Sequence, residues 1–121
     1  MAEATQEDMM VHVLRAADRA PSTSRTVRFE GATYGTNISF FAVDNEPGQG
    51  PGLHIHPYPE TWIVHSGLAR IVAGDEVIEA GPGDIVVVPG GVKHKFTNVG
   101  KGRLVIFCVH DTGTMVQDNL E

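Results

Sequence analysis

The chain lacks the features that mark several large functional classes. Its 121 residues include one cysteine, Cys108, so an internal disulfide is excluded, and no Cys-x-x-Cys pair is present for a zinc knuckle or a thioredoxin-type centre. That usage fits a reducing compartment. Basic residues are few and scattered, nine against fifteen acidic ones for a net charge of −6. No cationic face is therefore offered to a phosphate backbone, and nucleic acid is not expected as a partner. The longest uninterrupted apolar run, Leu104–Val109, is far short of the ~20 residues of a membrane-spanning helix, so no membrane partner is expected either. The first ten residues, MAEATQEDMM, are acidic and lack the basic start and apolar stretch of a secretory signal. Together these absences predict a soluble, cytoplasmic protein.

The chain is rich in punctuation. Fourteen glycines and seven prolines, with only 20 % charged residues, describe a chain that turns often yet keeps enough apolar material for a core. A mass of 13.0 kDa matches one domain, taken as residues 1–121 with a barrel core over about 26–110. Short apolar runs separated by Gly, Pro, Asn and Asp predict strands at Thr26–Glu30, Asn37–Val43, Gly52–His56, Thr61–His65, Ala69–Ala73, Glu76–Ala80, Asp84–Val88, His94–Thr97 and Leu104–His110. Many short strands and little helix predict an all-β closed barrel or jelly roll. Residues 8–17 carry both a helical spacing (Met10, Val13, Leu14, Ala17) and an alternation (Met9, Val11, Val13), which tips the reading toward strand. The tail after His110 is expected to cover an edge or a partner subunit.

Two connections can be read as hairpins. A five-residue turn at Val99–Arg103 sets Asn98 against Leu104, Phe96 against Ile106 and His94 against Cys108. A two-residue turn at Ser66-Gly67 sets Trp62 against Ile71 and Val64 against Ala69, with Arg70 directed away from them.

The chemistry concentrates in His54-Ile-His56-Pro-Tyr-Pro-Glu60, joined at a distance by His94. Alternate residues of a strand share a face, so His54 and His56 present two imidazoles to one point. The stiff Pro57-Tyr58-Pro59 turn then returns Glu60 to the same side. Three imidazoles and a carboxylate suit a divalent transition ion, Fe, Mn, Ni, Zn, Co or Cu, one per chain, rather than Mg²⁺ or Ca²⁺. Four protein ligands leave positions open on a five- or six-coordinate ion, which implies a working metal rather than a closed structural one. Without a metal, three imidazoles and a carboxylate in an apolar barrel would leave polar groups needing partners. A lone histidine in a strand is usually a surface or satisfied core residue, and by that rule His12, His65 and His110 are assigned no role.

These residues fall into two spaced patterns, Gly48, His54, His56, Glu60, Gly67 and Gly83, Pro89, Gly91, His94, Asn98, both of which resemble the cupin motifs without a break in spacing. Only Leu68 to Pro82 lies between them, so the chain resembles a small single-domain bacterial cupin. The resemblance implies a double-stranded β-helix, or jelly-roll barrel, with the metal inside and His54, His56, Glu60 and His94 as ligands. It does not select a reaction, because cupins include dioxygenases, decarboxylases, isomerases, epimerases, lyases and binding proteins.

The pocket is expected to be walled by Trp62, Val64, Ile71, Phe96, Ile106 and Cys108, while Arg28, Tyr34 or Ser39 could add polar groups from the earlier strands. Cys108 and Tyr58 are the catalytic candidates beyond the ligands. An apolar wall around a metal favours dioxygenase-type oxidation of an apolar, enolic or aromatic small molecule. The alternatives are a non-redox isomerase, lyase or decarboxylase, and a module that binds a small ligand without turning it over. Because a small sheet-rich domain has edges to protect, a homodimer is expected.

Overall fold

A computed structural model describes residues 9–19 and 25–121. Ten strands run in chain order: β1 (Val27–Glu30), β2 (Ser39–Asn45), β3 (His54–Ile55), β4 (Glu60–Ser66), β5 (Ala69–Ala73), β6 (Glu76–Ala80), β7 (Ile85–Val88), β8 (His94–Asn98), β9 (Leu104–His110) and β10 (Asp118–Asn119). Among the described residues they form two antiparallel five-stranded sheets, ordered β1-β2-β9-β4-β7 and β10-β3-β8-β5-β6. The fold is the all-β, double-stranded jelly roll that the strand punctuation predicts.

Neither connection read as a hairpin is one. β4 pairs with β9 and β7, whereas β5 pairs with β8 and β6, so the chain changes sheets between them. The connection after β8 does the same, since β8 pairs with β3 and β5 while β9 pairs with β2 and β4. At the first crossing Gly67 adopts φ +92°, and a β-carbon there would stand 2.5 Å from the Arg103 carbonyl oxygen. Only glycine lets the two crossings pass this closely. At the second, Asn98 Nδ2 donates to the carbonyls of Asn45 and Gly102, and its Oδ1 accepts from Gly100 N–H. A register shift between Val64 and Ser66 bends β4 toward its crossing.

The inward parity survives the change of partner. Trp62, Val64, Ala69, Ile71, Phe96, Leu104, Ile106 and Cys108 are all buried, but with other neighbours: Trp62 and Val64 lie beside Cys108 and Ile106 in one sheet, and Ile71 lies beside Phe96 in the other. Arg70 points outward, within 3.7 Å of Glu79.

The strand reading of residues 8–17 is not met over the part that lies within the described residues. Residues 9–19 are exposed and unpaired in any sheet, with one 3-10 turn at Ala16–Asp18. Their apolar side chains are too few on either phase to bury a face; instead His12 packs edge-on against the Tyr34 ring at 5.3 Å. The C-terminal segment follows the opposite course. Asp118 and Asn119 pair with Ile55 and His54, and Glu121 accepts from Leu53 N–H and meets Lys95. No helix among the described residues is long and apolar enough to cross a membrane.

Candidate metal centre

His54 and His94 are direct cross-strand neighbours on β3 and β8, so their side chains rise from opposed backbone positions to one point. His56 follows two residues after His54 on the same side, and the Gly91 N–H holds its carbonyl at 2.8 Å. Glu60 opens β4 in the facing sheet. One ligand atom from each of His54, His56, Glu60 and His94 lies within 4.8 Å of every other, and all four residues are buried.

Hydrogen bonds set the direction of each imidazole. Nδ1 of His54, His56 and His94 lies 2.7, 2.8 and 2.8 Å from the carbonyl oxygens of Gly52, Val116 and Val92. A carbonyl only accepts, so each Nδ1 carries the proton and each neutral ring turns the lone pair of Nε2 inward. Glu60 Oε1 stands 3.1 Å from Nε2 of both His56 and His94. Each of these contacts needs either a cation between the two atoms or a second proton on the ring, and His94 Nε2 is aligned to donate one to Oε1. The His56 contact is off the line that a hydrogen bond needs, and His56 Nε2 is, among the described residues, the buried side-chain polar atom without a partner. Leaving such an atom unsatisfied costs about 1–3 kcal/mol, and coordination to an ion removes the penalty. The donor set therefore fits a divalent transition metal.

The electrostatics agree. Burial alone would raise the Glu60 pKa, but the imidazoles of His110, His56 and His94 outweigh it and hold the carboxyl well below the usual carboxylate range, so it is ionised. Burial lowers the His54 pKa, with His94 and His56 adding to it against the Gly52 carbonyl. Burial also pulls on His56, but Glu60 and the Val116 carbonyl prevail and leave it raised.

The other oxygen of Glu60 is committed elsewhere. Trp62 Nε1 donates to Oε2 at 2.6 Å, and His110 Nε2 stands 3.3 Å from the same atom. His110, assigned no role from sequence, thus belongs to the site. The signal that could have found it is phase: Leu104, Ile106 and Cys108 are the inward residues of β9, and His110 continues the alternation. Its Nδ1 lies 2.7 Å from the Tyr58 hydroxyl, which also accepts from Val116 N–H at 3.2 Å. Burial raises the Tyr58 pKa, with Glu60 adding to it, so the phenol stays protonated.

A cavity of about 830 Å³ opens onto His54, Glu60 and His110. Phe96 and Cys108 line it, together with Phe41 and Val43, which sequence reasoning did not single out. Trp62, Val64, Ile71 and Ile106 lie in the closed core; the Trp62 ring packs edge-on against Phe96 at 5.2 Å and His94 at 5.5 Å. Arg28 pairs outward with Glu30, Tyr34 stacks on Phe29, and the Ser39 hydroxyl accepts from Gly31 N–H, so none of the three reaches the cavity. Arg25 and Arg103 do, and both are engaged on Asp44. Burial pushes the Cys108 thiol well above its ordinary pKa, with Glu60 adding to the effect.

Known proteins resemble this chain in sequence or in fold. The xanthan biosynthesis protein XanB of Xanthomonas campestris is 28 % identical over 93 residues, taking in 76 % of this chain and only 20 % of XanB. This chain thus spans a small part of the length of that relative. A Klebsiella pneumoniae protein with a double-stranded β-helix domain superposes with a TM-score of 0.69 at 23 % identity, over 90 % of this chain and 98 % of that one. The Bacillus subtilis oxalate decarboxylase, in a structure concerned with its Mn(II) centres, gives a TM-score of 0.77 at 19 % identity, over 98 % of this chain and 37 % of that one. The cupin domain model matches residues 41–110, from within β2 to the end of β9 and across all four residues of the three-histidine, one-glutamate group; this chain belongs to the cupin family.

Proposed function

We propose that the protein is a metal-dependent cupin that oxidises an apolar, enolic or aromatic small molecule in a dioxygenase-type reaction. One divalent transition ion per chain, held by His54, His56, Glu60 and His94, supplies the Lewis-acid and redox chemistry that side chains lack. The observation that carries the reading is the unpartnered Nε2 of His56 beside an ionised Glu60 and two further inward-turned imidazoles.

The chain's own residues shape what can bind. Phe41, Val43, Phe96 and Cys108 form an apolar strip against which a substrate beside His54 and Glu60 can pack, in a cavity whose remaining side chains, Thr26, Asn45, Gln49 and Gln117 among them, are largely polar. Arg25 and Arg103 face the same cavity, but an anionic substrate would have to win them from Asp44. Both pairs are partly open to solvent, so that cost is small, and it is the apolar strip that favours an uncharged or weakly acidic molecule. The Cys108 thiol, kept protonated, acts as part of the wall and not as a nucleophile.

A second reading, a non-redox isomerase, lyase or decarboxylase or a non-catalytic binding protein, is favoured by those same two arginines if a substrate does displace Asp44. Residues 26–110 are taken as the core of one cupin domain. A homodimer completes the reading, supported by the outer face of the sheet that contains β4. Two rows cross all five of its strands there, Val27, Ala42, Phe107, Ile63, Ile85 and Phe29, Phe40, Val109, Thr61, Val87, and nine of the ten residues are apolar. A cytoplasmic setting accords with the single buried free thiol.

The test is to measure the metal content of protein purified without chelating resin. O₂ uptake by its iron, manganese and nickel forms is then followed with catechols, flavonols and 1,3-diketones. Uptake with at least one class is expected. Uptake with none, alongside proton exchange from a keto acid or keto sugar, would replace the oxidative reading with the second.

A further inference from the structure

The C-terminal segment reaches the metal centre through a single peptide group. Val116 offers its carbonyl oxygen to His56 Nδ1 at 2.8 Å and its N–H to the Tyr58 hydroxyl at 3.2 Å. The ionised Glu60 beside His110 Nε2 keeps the ring proton on that nitrogen, which leaves Nδ1 to accept from the Tyr58 hydroxyl 2.7 Å away. His110 Nε2 then stands 3.3 Å from Glu60 Oε2, within ion-pair reach, and Glu60 turns Oε1 to the imidazoles of His56 and His94. Two of the four candidate ligands, one on β3's flank and one on β4, are thus oriented from the same residue by separate routes. One route is direct, and the other passes through two side chains. Pairing of Asp118 and Asn119 with β3, and the Glu121 contacts with Leu53 and Lys95, hold that peptide in place.

We propose that Val116, Tyr58 and His110 form a positioning relay by which docking of the C-terminal strap sets the orientation of His56 and Glu60. The relay rests on the reading of His54, His56, Glu60 and His94 as a metal centre. It gives Tyr58 and His110 a role that is neither ligation nor contact with substrate. It also predicts that whatever lifts the last residues from β3 loosens the ion with all four ligand side chains still present. Hydrogen-bond partners of metal-binding side chains typically change affinity by about 10–100-fold.

The test uses two full-length variants, Tyr58→Phe, which removes the hydroxyl, and Val116→Pro, which removes the N–H and keeps the carbonyl. Histidine tautomers are read by long-range ¹⁵N–¹H correlation in metal-free protein, and Co(II) affinity by titration of the visible spectrum. In the unaltered chain His110 is expected as the Nε2–H tautomer and His56 as the Nδ1–H tautomer. Each variant is expected to mix the His110 tautomers and to weaken Co(II) binding about tenfold. The double variant should be no worse than the single ones, because both break the same relay. If the His110 tautomer and the Co(II) affinity are unchanged in Tyr58→Phe, the relay is overturned, whether or not Val116→Pro folds. Tautomers that shift as expected in a protein that takes up no Co(II) would instead overturn the metal reading beneath it.

Discussion

Trp62 and Glu60 sit two residues apart on the same face of β4, and the indole N–H of Trp62 donates to Glu60 Oε2 at 2.6 Å. The largest buried side chain of the core is thereby also a restraint on the carboxylate of the candidate metal centre. Trp62→Phe keeps most of the apolar volume and removes the donor. It is expected to destabilise the fold by about 1–3 kcal/mol, since a charged acceptor loses a buried partner. It should also weaken metal binding about tenfold. Chemical denaturation and Co(II) titration check the two effects separately, and a stability loss with no change in affinity would confine Trp62 to packing.

Removal of the metal should be visible in stability. An ion that binds only the folded chain adds about 2.7 kcal/mol at a hundredfold excess over its Kd. Thermal unfolding in EDTA is therefore expected several degrees below unfolding with added Mn(II) or Co(II), and Glu60→Gln should abolish the difference. A melting temperature indifferent to both ions and chelator would remove the central premise.

Proton competition gives a pH dependence with a definite sign. An ion and a proton compete for Nε2 of each histidine, and the pKa of His56 is raised while Glu60 stays ionised far below neutrality. His56 therefore keeps its competing proton to a higher pH than a free imidazole, ordinarily near 6.5. Metal affinity is expected to rise as pH increases through and above that value, with no inflection in the carboxylate range. Calorimetry in buffers of different ionisation enthalpy should detect proton release on binding at pH 6.5 and less of it at pH 8.

Cys108 is buried, and its thiol is held well above the ordinary pKa by burial and by Glu60. Iodoacetamide at pH 8 is expected to leave it unmodified in the folded protein and to alkylate it fully in denaturant. Mass spectrometry distinguishes the two forms. Rapid modification of the native chain would show a thiol open to solvent and ionised, contrary to the cavity wall assigned to it.

Phe107 and Ile63 face each other on the outer side of the sheet, at 39 % and 40 % exposure. Contiguous apolar surface of this kind is usually covered in solution. Phe107→Lys is expected to halve the mass seen by light scattering, with the circular dichroism of the fold retained. A monomeric parent protein would assign that face to something other than a second copy.

Strand punctuation and spacing carried the local half of the problem. Turn residues between short apolar runs marked nine of the ten strands, because each boundary is set by a residue that cannot continue a ladder. The inward phase of β4, β8 and β9 was legible for the same reason, and with it the convergence of His54, His56, Glu60 and His94. The pairings were not legible. A glycine between two strands reads alike whether the chain folds back in one sheet or crosses to the other, and only the approach of Gly67 to Arg103 distinguishes the cases.

The dividing line falls between properties of a segment and properties of a meeting. Which side chains face inward, and which can bind an ion, follow from two-residue alternation and from the chemistry of imidazole and carboxylate. That His110 lies directly opposite Glu60, that Val116 reaches both His56 and Tyr58, and that Phe41 and Val43 supply the cavity wall depend on strand neighbours far apart along the chain. Those contacts are set by the order of strands in the two sheets. That order comes from burying both inner faces at once, a condition no single segment contains.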